Sequence, residues 1–158
     1  MRRSKPDAAD PRACERTALD LLARREHSRR ELEHKLAARG FTEERVAATL
    51  DALEESGELQ STRFTASFIR ARAAKGQGPV RIRAELAERG IDRAQADELL
   101  RAADMDWAAL AASVRDKRFG AQRPADFKDR ARQARFLEYR GFDRSQIGRA
   151  LGSADELE

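Results

Sequence analysis

The sequence predicts an all-α protein, a tandem array of three three-helix, helix-turn-helix-like repeats that is elongated and curved. Three observations predict it. Of the 158 residues, 38% are charged and only 6% aromatic, and Ala, Leu, Arg and Glu, which lose little side-chain freedom in a helix, outnumber β-branched residues. One corner, Arg-Gly-apolar-(Thr/Asp), occurs three times, in "KLAARGFTEERV", "ELAERGIDRAQA" and "FLEYRGFDRSQI". Apolar residues on both sides of each corner recur at helical spacing.

Taken in order, residues 1–13 read as a flexible basic tail, and "MRRSKPDAAD" lacks the apolar segment of a secretory signal. Repeat 1 spans 14–56 and opens with a helix carrying Ala18, Leu19 and Leu22 on its inner face. Ser28, with Glu31 three residues on, starts a second helix as a capping box, and Leu32 and Leu36 supply its apolar side. Gly40 stops that helix by taking the left-handed position beyond its end, so that Phe41 folds back. Thr42 then offers an oxygen to the free N–H groups of a third helix bearing Val46, Leu50 and Leu53.

Repeat 2, residues 57–103, runs the same way. Phe64, Phe68 and Ile69 mark its first helix, and Gly78-Pro79 starts a second with Ile82 and Leu86. Gly90 and Ile91 form the corner, and Asp92 with Gln95 predicts a capping box before Ala96 and Leu100. Repeat 3, residues 104–152, has Trp107, Leu110 and Val114 in its first helix and Leu137 before the corner at Gly141 and Phe142. Asp143 with Gln146 repeats the capping-box pattern, followed by Ile147 and Leu151. Gln133 falls where the other repeats have Leu32 and Ile82, which predicts a weaker or shifted core there. Residues 153–158 read as an acidic tail. Units this small bury little surface alone, so neighbours are expected to pack end to end.

There are 32 Lys plus Arg against 28 Asp plus Glu, a net charge of +4, and their placement says more than the total. From 43 to 62 six acids face one base, Arg45; from 63 to 93 eight bases face three acids; from 115 to 149 eleven bases face five acids. Arg70, Arg72 and Lys75, then the glycines of "GQG", then Arg81 and Arg83, gather five cations around one interhelical loop. Guanidinium groups so placed can fork onto phosphates or carboxylates. Trp107, Phe119, Phe127, Phe136 and Tyr139 fall at helical spacing in the last repeat and are read as core.

Several function classes are excluded. There is no Gly-rich phosphate loop, no G-x-S-x-G elbow and no H-E-x-x-H, so the chain is read as a binding protein without a cofactor rather than an enzyme. Cys14 is the single cysteine, and with His27 and His34 it does not make a zinc site. No apolar run approaches the roughly 20 residues that cross a bilayer, and a soluble, cytoplasmic monomer is expected.

The segments "ALDLLARREHSRRELEHKLAARGF", "RFTASFIRARAAKGQGPVRIRAELAERGI" and "RARQARFLEYRGFDRSQIGRAL" resemble the bacterial RecX regulatory proteins, the middle one most specifically. That resemblance implies a regulator that lies in the groove of the RecA–DNA filament and contacts more than one RecA protomer. It would thereby suppress ATP hydrolysis, strand exchange and co-protease activity, regulating DNA repair and the SOS response. The residues expected to meet the RecA filament and DNA phosphate are Arg63, Arg70, Arg72, Lys75, Arg81 and Arg83 in the second repeat. In the third they are Arg123, Lys128, Arg130, Arg132, Arg135 and Arg140. Members of the family commonly carry Tyr-Leu-Asp-Asp before the Arg of the second repeat; here Glu58, Leu59, Gln60 and Ser61 precede Arg63, so its orientation is expected to differ.

An alternative is a helix-turn-helix transcriptional regulator that places a post-corner helix in a major groove. The helices after Gly40 and Gly90 offer acids and alanines where base edges call for Arg, Asn or Gln, which disfavours it. Weak, nonspecific binding to single- or double-stranded DNA through the basic faces remains expected, falling steeply with salt.

Overall fold

The computed structural model describes residues 7–152, which form nine helices with no strand among them. The acidic tail read at 153–158 and the first six residues of the basic one lie outside the described residues. The helices are α1 (Pro11–Arg24), α2 (Arg29–Ala38) and α3 (Glu43–Glu55), then α4 (Ser61–Ala74), α5 (Pro79–Glu88) and α6 (Arg93–Ala102), then α7 (Trp107–Phe119), α8 (Phe127–Tyr139) and α9 (Arg144–Leu151). α1 begins inside the stretch read as tail, because Asp10 accepts from the N–H groups of Arg12 and Ala13 and Pro11 suits the first position.

Each unit buries its own core. Leu32, Leu36, Phe41 and Leu50 centre the first, Phe64, Ile82, Leu86 and Ile91 the second, and Leu137, Phe142 and Leu151 the third. In every unit the third helix packs against both the others. Two inward faces differ from the expectation. Cys14, Ala18 and Leu21 are the buried residues of α1, with Leu19 and Leu22 only partly covered, and Trp107 packs against the core of the second unit rather than its own.

The three corners are the same object. Gly40, Gly90 and Gly141 have φ of 92°, 83° and 97°, the left-handed region that an L side chain disfavours. At each, the glycine N–H and the N–H that follows reach back to two different carbonyls. Gly40 N donates to Ala37 O (3.0 Å) and Phe41 N to Leu36 O (3.3 Å); Gly90 N donates to Ala87 O and Ile91 N to Leu86 O; Gly141 N donates to Glu138 O and Phe142 N to Leu137 O. This is the Schellman pairing, and it turns Phe41, Ile91 and Phe142 into the core. Thr42, Asp92 and Asp143 cap the next helix as expected. The full capping box forms at Ser28–Glu31 and Asp143–Gln146. At the second corner it does not, because the Gln95 amide donates instead to Ser61 Oγ at the start of α4 (2.9 Å).

The third core buries fewer apolar residues than the other two, and at Gln133 a polar lock stands in place of apolar packing. Gln133 is 3% exposed, accepts from Arg115 Nε (2.8 Å) and donates to Asp129 Oδ2 (3.2 Å). Arg115 is itself buried and also reaches Asp116 (2.9 Å) and the Gln122 carbonyl. A buried guanidinium is tolerable because its N–H groups find acceptors. α8 starts at Phe127, before the position aligned with Ser28 and Gly78, so its first turn projects beyond the equivalent point of α2 and α5.

Successive units meet end to end through these corners. The first turn of α5 lies on the corner that closes α8: Gly78 N donates to Arg140 O (2.8 Å) and Val80 N to Gly141 O (2.9 Å). Helix ends leave such N–H and C=O groups without internal partners, and here two helices satisfy each other. The approach is close enough to require glycine on both sides. A Cβ on Gly78 would lie 2.4 Å from Gly141 O, and one on Gly141 would lie 2.3 Å from Arg81 Cβ. Between the first two units the same geometry is bridged by a side chain. Arg30, in the first turn of α2, donates to Glu88 O (3.3 Å) at the end of α5.

Gly40 and Gly141 share their backbone conformation, but nothing lies within 4 Å of a Cβ on Gly40. Gly40→Ala should therefore cost about 1–2 kcal/mol of left-handed strain alone. Gly141→Ala should cost a further ~1–3 kcal/mol from overpacking, read from urea midpoints at constant m-value. Equal losses would show that the junction between units 2 and 3 is not tight.

His27, which does not make a zinc site, is 2% exposed. Its Nδ1 lies 3.0 Å from Arg25 O and its Nε2 2.9 Å from Lys35 Nζ, a pairing that fits a neutral ring accepting from the ammonium. Burial, with the charges of Arg25 and Lys35 against the hydrogen bond to Arg25 O and the charge of Glu31, holds its pKa below the ordinary 6.5. The folded state then binds fewer protons than the unfolded chain below pH 6.5, so stability should be level above that pH and fall as acid is added. His27→Gln should flatten this slope in a pH series of urea midpoints; an unchanged slope would locate it elsewhere.

Candidate partner-binding face

The twelve basic residues singled out in the sequence divide sharply by what holds them. In the second unit Glu85 takes two of them, its Oε2 lying 3.2 Å from Arg72 Nε and its Oε1 3.3 Å from Arg81 Nε. Arg72 also lies over the Phe68 ring, 4.7 Å from its centroid, as does Arg89 at 4.8 Å. Arg83 Nε pairs with Asp97 Oδ1 on α6 (2.6 Å). These three guanidinium groups are half-buried and tie α4, α5 and α6 together. Half-buried pairs that join one helix to the next, as Arg72–Glu85 and Arg83–Asp97 do, belong to the frame.

Arg63 is also framework. It pairs with Glu26 of the first unit, and its Nη2 donates to Glu58 O (2.9 Å) and its Nη1 to Gly57 O (3.4 Å). Arg70 and Lys75 are different. Both are exposed, and among the described residues neither side chain has a hydrogen bond or ion pair. The loop expected to gather five cations thus presents two unengaged ones over three that are paired with acids.

The third unit shows the same division. Arg130 donates to Leu151 O (3.3 Å), Arg132 pairs with Asp129 (2.8 Å) and lies over Phe119, and Arg140 donates to Lys75 O (3.2 Å) and lies over Phe136. Hydrogen bonds from Ala125 N, Arg132 and Gln133 hold the Asp129 carboxyl below its ordinary pKa. Lys128 and Arg135 are exposed with unengaged side chains among the described residues, and Arg123 is exposed in the loop before α8. The aromatic residues are not all core. Phe119 and Phe136 meet edge to face at 5.3 Å, but Phe127 is 59% and Tyr139 76% exposed.

The acidic first unit uses part of its charge internally. Arg29 reaches Asp51 (2.8 Å), Glu54 (3.0 Å) and Glu33 (3.1 Å); burial works against its charge, but those hydrogen bonds prevail and raise its pKa. Among the described residues no group of three or more His, Cys, Asp or Glu could hold a metal ion, and no helix is long and apolar enough to cross a membrane.

Three family models match in register with these units. They are described as the first, second and third three-helix domains of RecX, and they cover residues 14–53, 62–100 and 104–151. The chain belongs to the RecX family. It is 50% identical over 145 residues to the regulatory protein RecX of Pseudomonas entomophila, covering 92% of this chain and 94% of that one. It is 51% identical over 139 residues to that of Halorhodospira halophila, covering 88% and 86%. The crystal structure of RecX from Lactobacillus salivarius superposes with a TM-score of 0.77 at 19% identity, covering 94% of this chain and 99% of that one, which speaks for the fold. In this RecX-family chain Arg63, which follows Glu58, Leu59, Gln60 and Ser61, is anchored by Glu26 and two carbonyls.

Proposed function

We propose that the chain is a non-enzymatic, cytoplasmic regulator that binds along the groove of a RecA–DNA filament and restrains its ATP hydrolysis, strand exchange and co-protease activity. Membership of a family of regulatory proteins across all three units carries this reading. The geometry supports it in two ways. The second and third units, docked corner to corner through backbone hydrogen bonds, hold their outer faces in fixed relation, which suits a partner that repeats at regular intervals. Tethered weak modules then bind at high effective concentration, and the gain disappears when the spacing fails to match.

The unengaged cations Arg70, Lys75, Lys128 and Arg135 lie in the second and third units, where they can meet acidic protein surface or DNA phosphate without first breaking an internal pair. Arg72, Arg81 and Arg83 act one step back by fixing the helices that carry them.

ATP hydrolysis by RecA on single-stranded DNA should fall when the chain is added well below one molecule per protomer. Arg70→Glu with Lys75→Glu, which leaves the Glu85 pairs intact, should move that titration by about tenfold or more. No fall with the unaltered chain would sink the filament reading; an unchanged titration with the double variant would remove these two residues from the interface.

A further inference from the structure

A cleft of about 310 Å³, open to solvent, lies where the second and third units meet. Its walls are the end of α4, the outer side of α7 and the end of α8, and its apolar floor is Leu110, Val114 and Phe136. Four cations line it, Lys75, Lys117, Arg118 and Arg140, together with Ser113. No carboxylate lines it, and among the described residues none of the four pairs with one. Elsewhere in these two units the half-buried arginines Arg72, Arg81 and Arg83 have found acids.

Four like charges drawn to one concave surface repel each other, and a recess with low-dielectric walls strengthens their joint field. Such an arrangement is relieved by an anion. Arg140 is already aimed, since its Nη1 is held by Lys75 O (3.2 Å) and its guanidinium lies 5.2 Å from the Phe136 centroid. Arg118 lies over the same ring at 5.9 Å. Lys117 and Arg118 are exposed and in reach of a ligand.

We propose that this cleft is a phosphate-binding site through which the backbone of single-stranded DNA passes. Phosphates would meet Lys117, Arg118 and Lys75, and a sugar or base edge would rest on the apolar floor. A polymer of phosphates is favoured over one acidic side chain because the positive surface continues beyond the cleft. Arg70 stands one helical turn before Ala74 on α4, on the face that leads into it. The inference deepens the filament reading by naming the DNA contact, and it assigns Ser113, Lys117 and Arg118, which the sequence did not single out.

The test is fluorescence anisotropy of a labelled oligothymidylate titrated with the full chain between about 50 and 200 mM salt. Removing two phosphate contacts should lower the slope of log K against log salt by about 1.4 and weaken binding roughly tenfold or more. That is the result expected for Lys117→Ala with Arg118→Ala, and Lys117→Glu alone should act in the same direction. Arg12→Ala with Arg16→Ala removes the same charge from exposed positions on α1 and should leave the slope unchanged. Equal weakening by both pairs would overturn the site, since only total charge would then matter. So would a cleft variant that keeps the oligonucleotide and loses a glutamate-rich peptide, because the cleft would then take carboxylates. No recombinase is present, so failure here leaves the ATPase test of the filament reading to be decided on its own.

Discussion

The hydrogen-bonding groups left over at helix ends govern how this molecule is assembled. The nine short helices of the described residues leave many N–H and C=O groups without partners in their own helix. Left-handed glycines, among them those of the three corners, recover part of the deficit locally, by folding the chain back onto carbonyls one turn earlier. The remainder is recovered between units, where the start of α5 donates to the carbonyls that end α8. That exchange demands backbone-to-backbone approach and hence Gly78 against Gly141. Between the first and second units Arg30 spans the equivalent gap with a flexible side chain. Backbone contacts have almost no freedom to adjust, whereas an arginine has several rotatable bonds, so the second and third units are coupled more stiffly than the first and second.

Charge follows the same division between frame and surface. The basic middle of the sequence does not produce a uniformly basic surface, because Glu85 and Asp97 pair with four of its arginines and the Phe68 ring shields two guanidinium groups, those of Arg72 and Arg89. In the third unit Arg115 is spent entirely inside, on Gln133, Asp116 and the Gln122 carbonyl. Positive potential is thereby concentrated at the few places where no acid was supplied.

How much of this could be read from residues alone depended on the range of the physics. The corners were legible because each element of Arg-Gly-apolar-(Thr/Asp) does its work within a few residues: φ at Gly90, burial of Ile91, capping by Asp92. The glycine contact between units was not, since Gly78 looks like an ordinary residue before Pro79 and nothing local announces its partner. Pairing failed for a similar reason. Glu85 lies four residues after Arg81, a relation visible in sequence, but its second arginine comes from another helix. Gln95 matched a local rule and broke it, because Ser61 on a neighbouring helix competed successfully for its amide. Tyr139 shows the limit of periodicity, since it stands two residues after buried Leu137, about 200° round the helix, and so faces out.

The uneven stiffness of the two junctions bears on how a three-unit array can engage a repeating partner. Ordering modules costs conformational freedom, and whatever is ordered during folding need not be ordered again on binding. The backbone junction fixes the faces of the second and third units in advance, and those units carry Arg70, Lys75, Lys128 and Arg135. The first unit, acidic and joined through Arg30 and the Arg63–Glu26 pair, keeps more latitude. An array built this way can set its register with the preformed pair and then adjust the remaining unit to the neighbouring site. A fully rigid array would need both spacings to match at once, and a fully flexible one would forfeit the effective concentration that makes weak modules bind together.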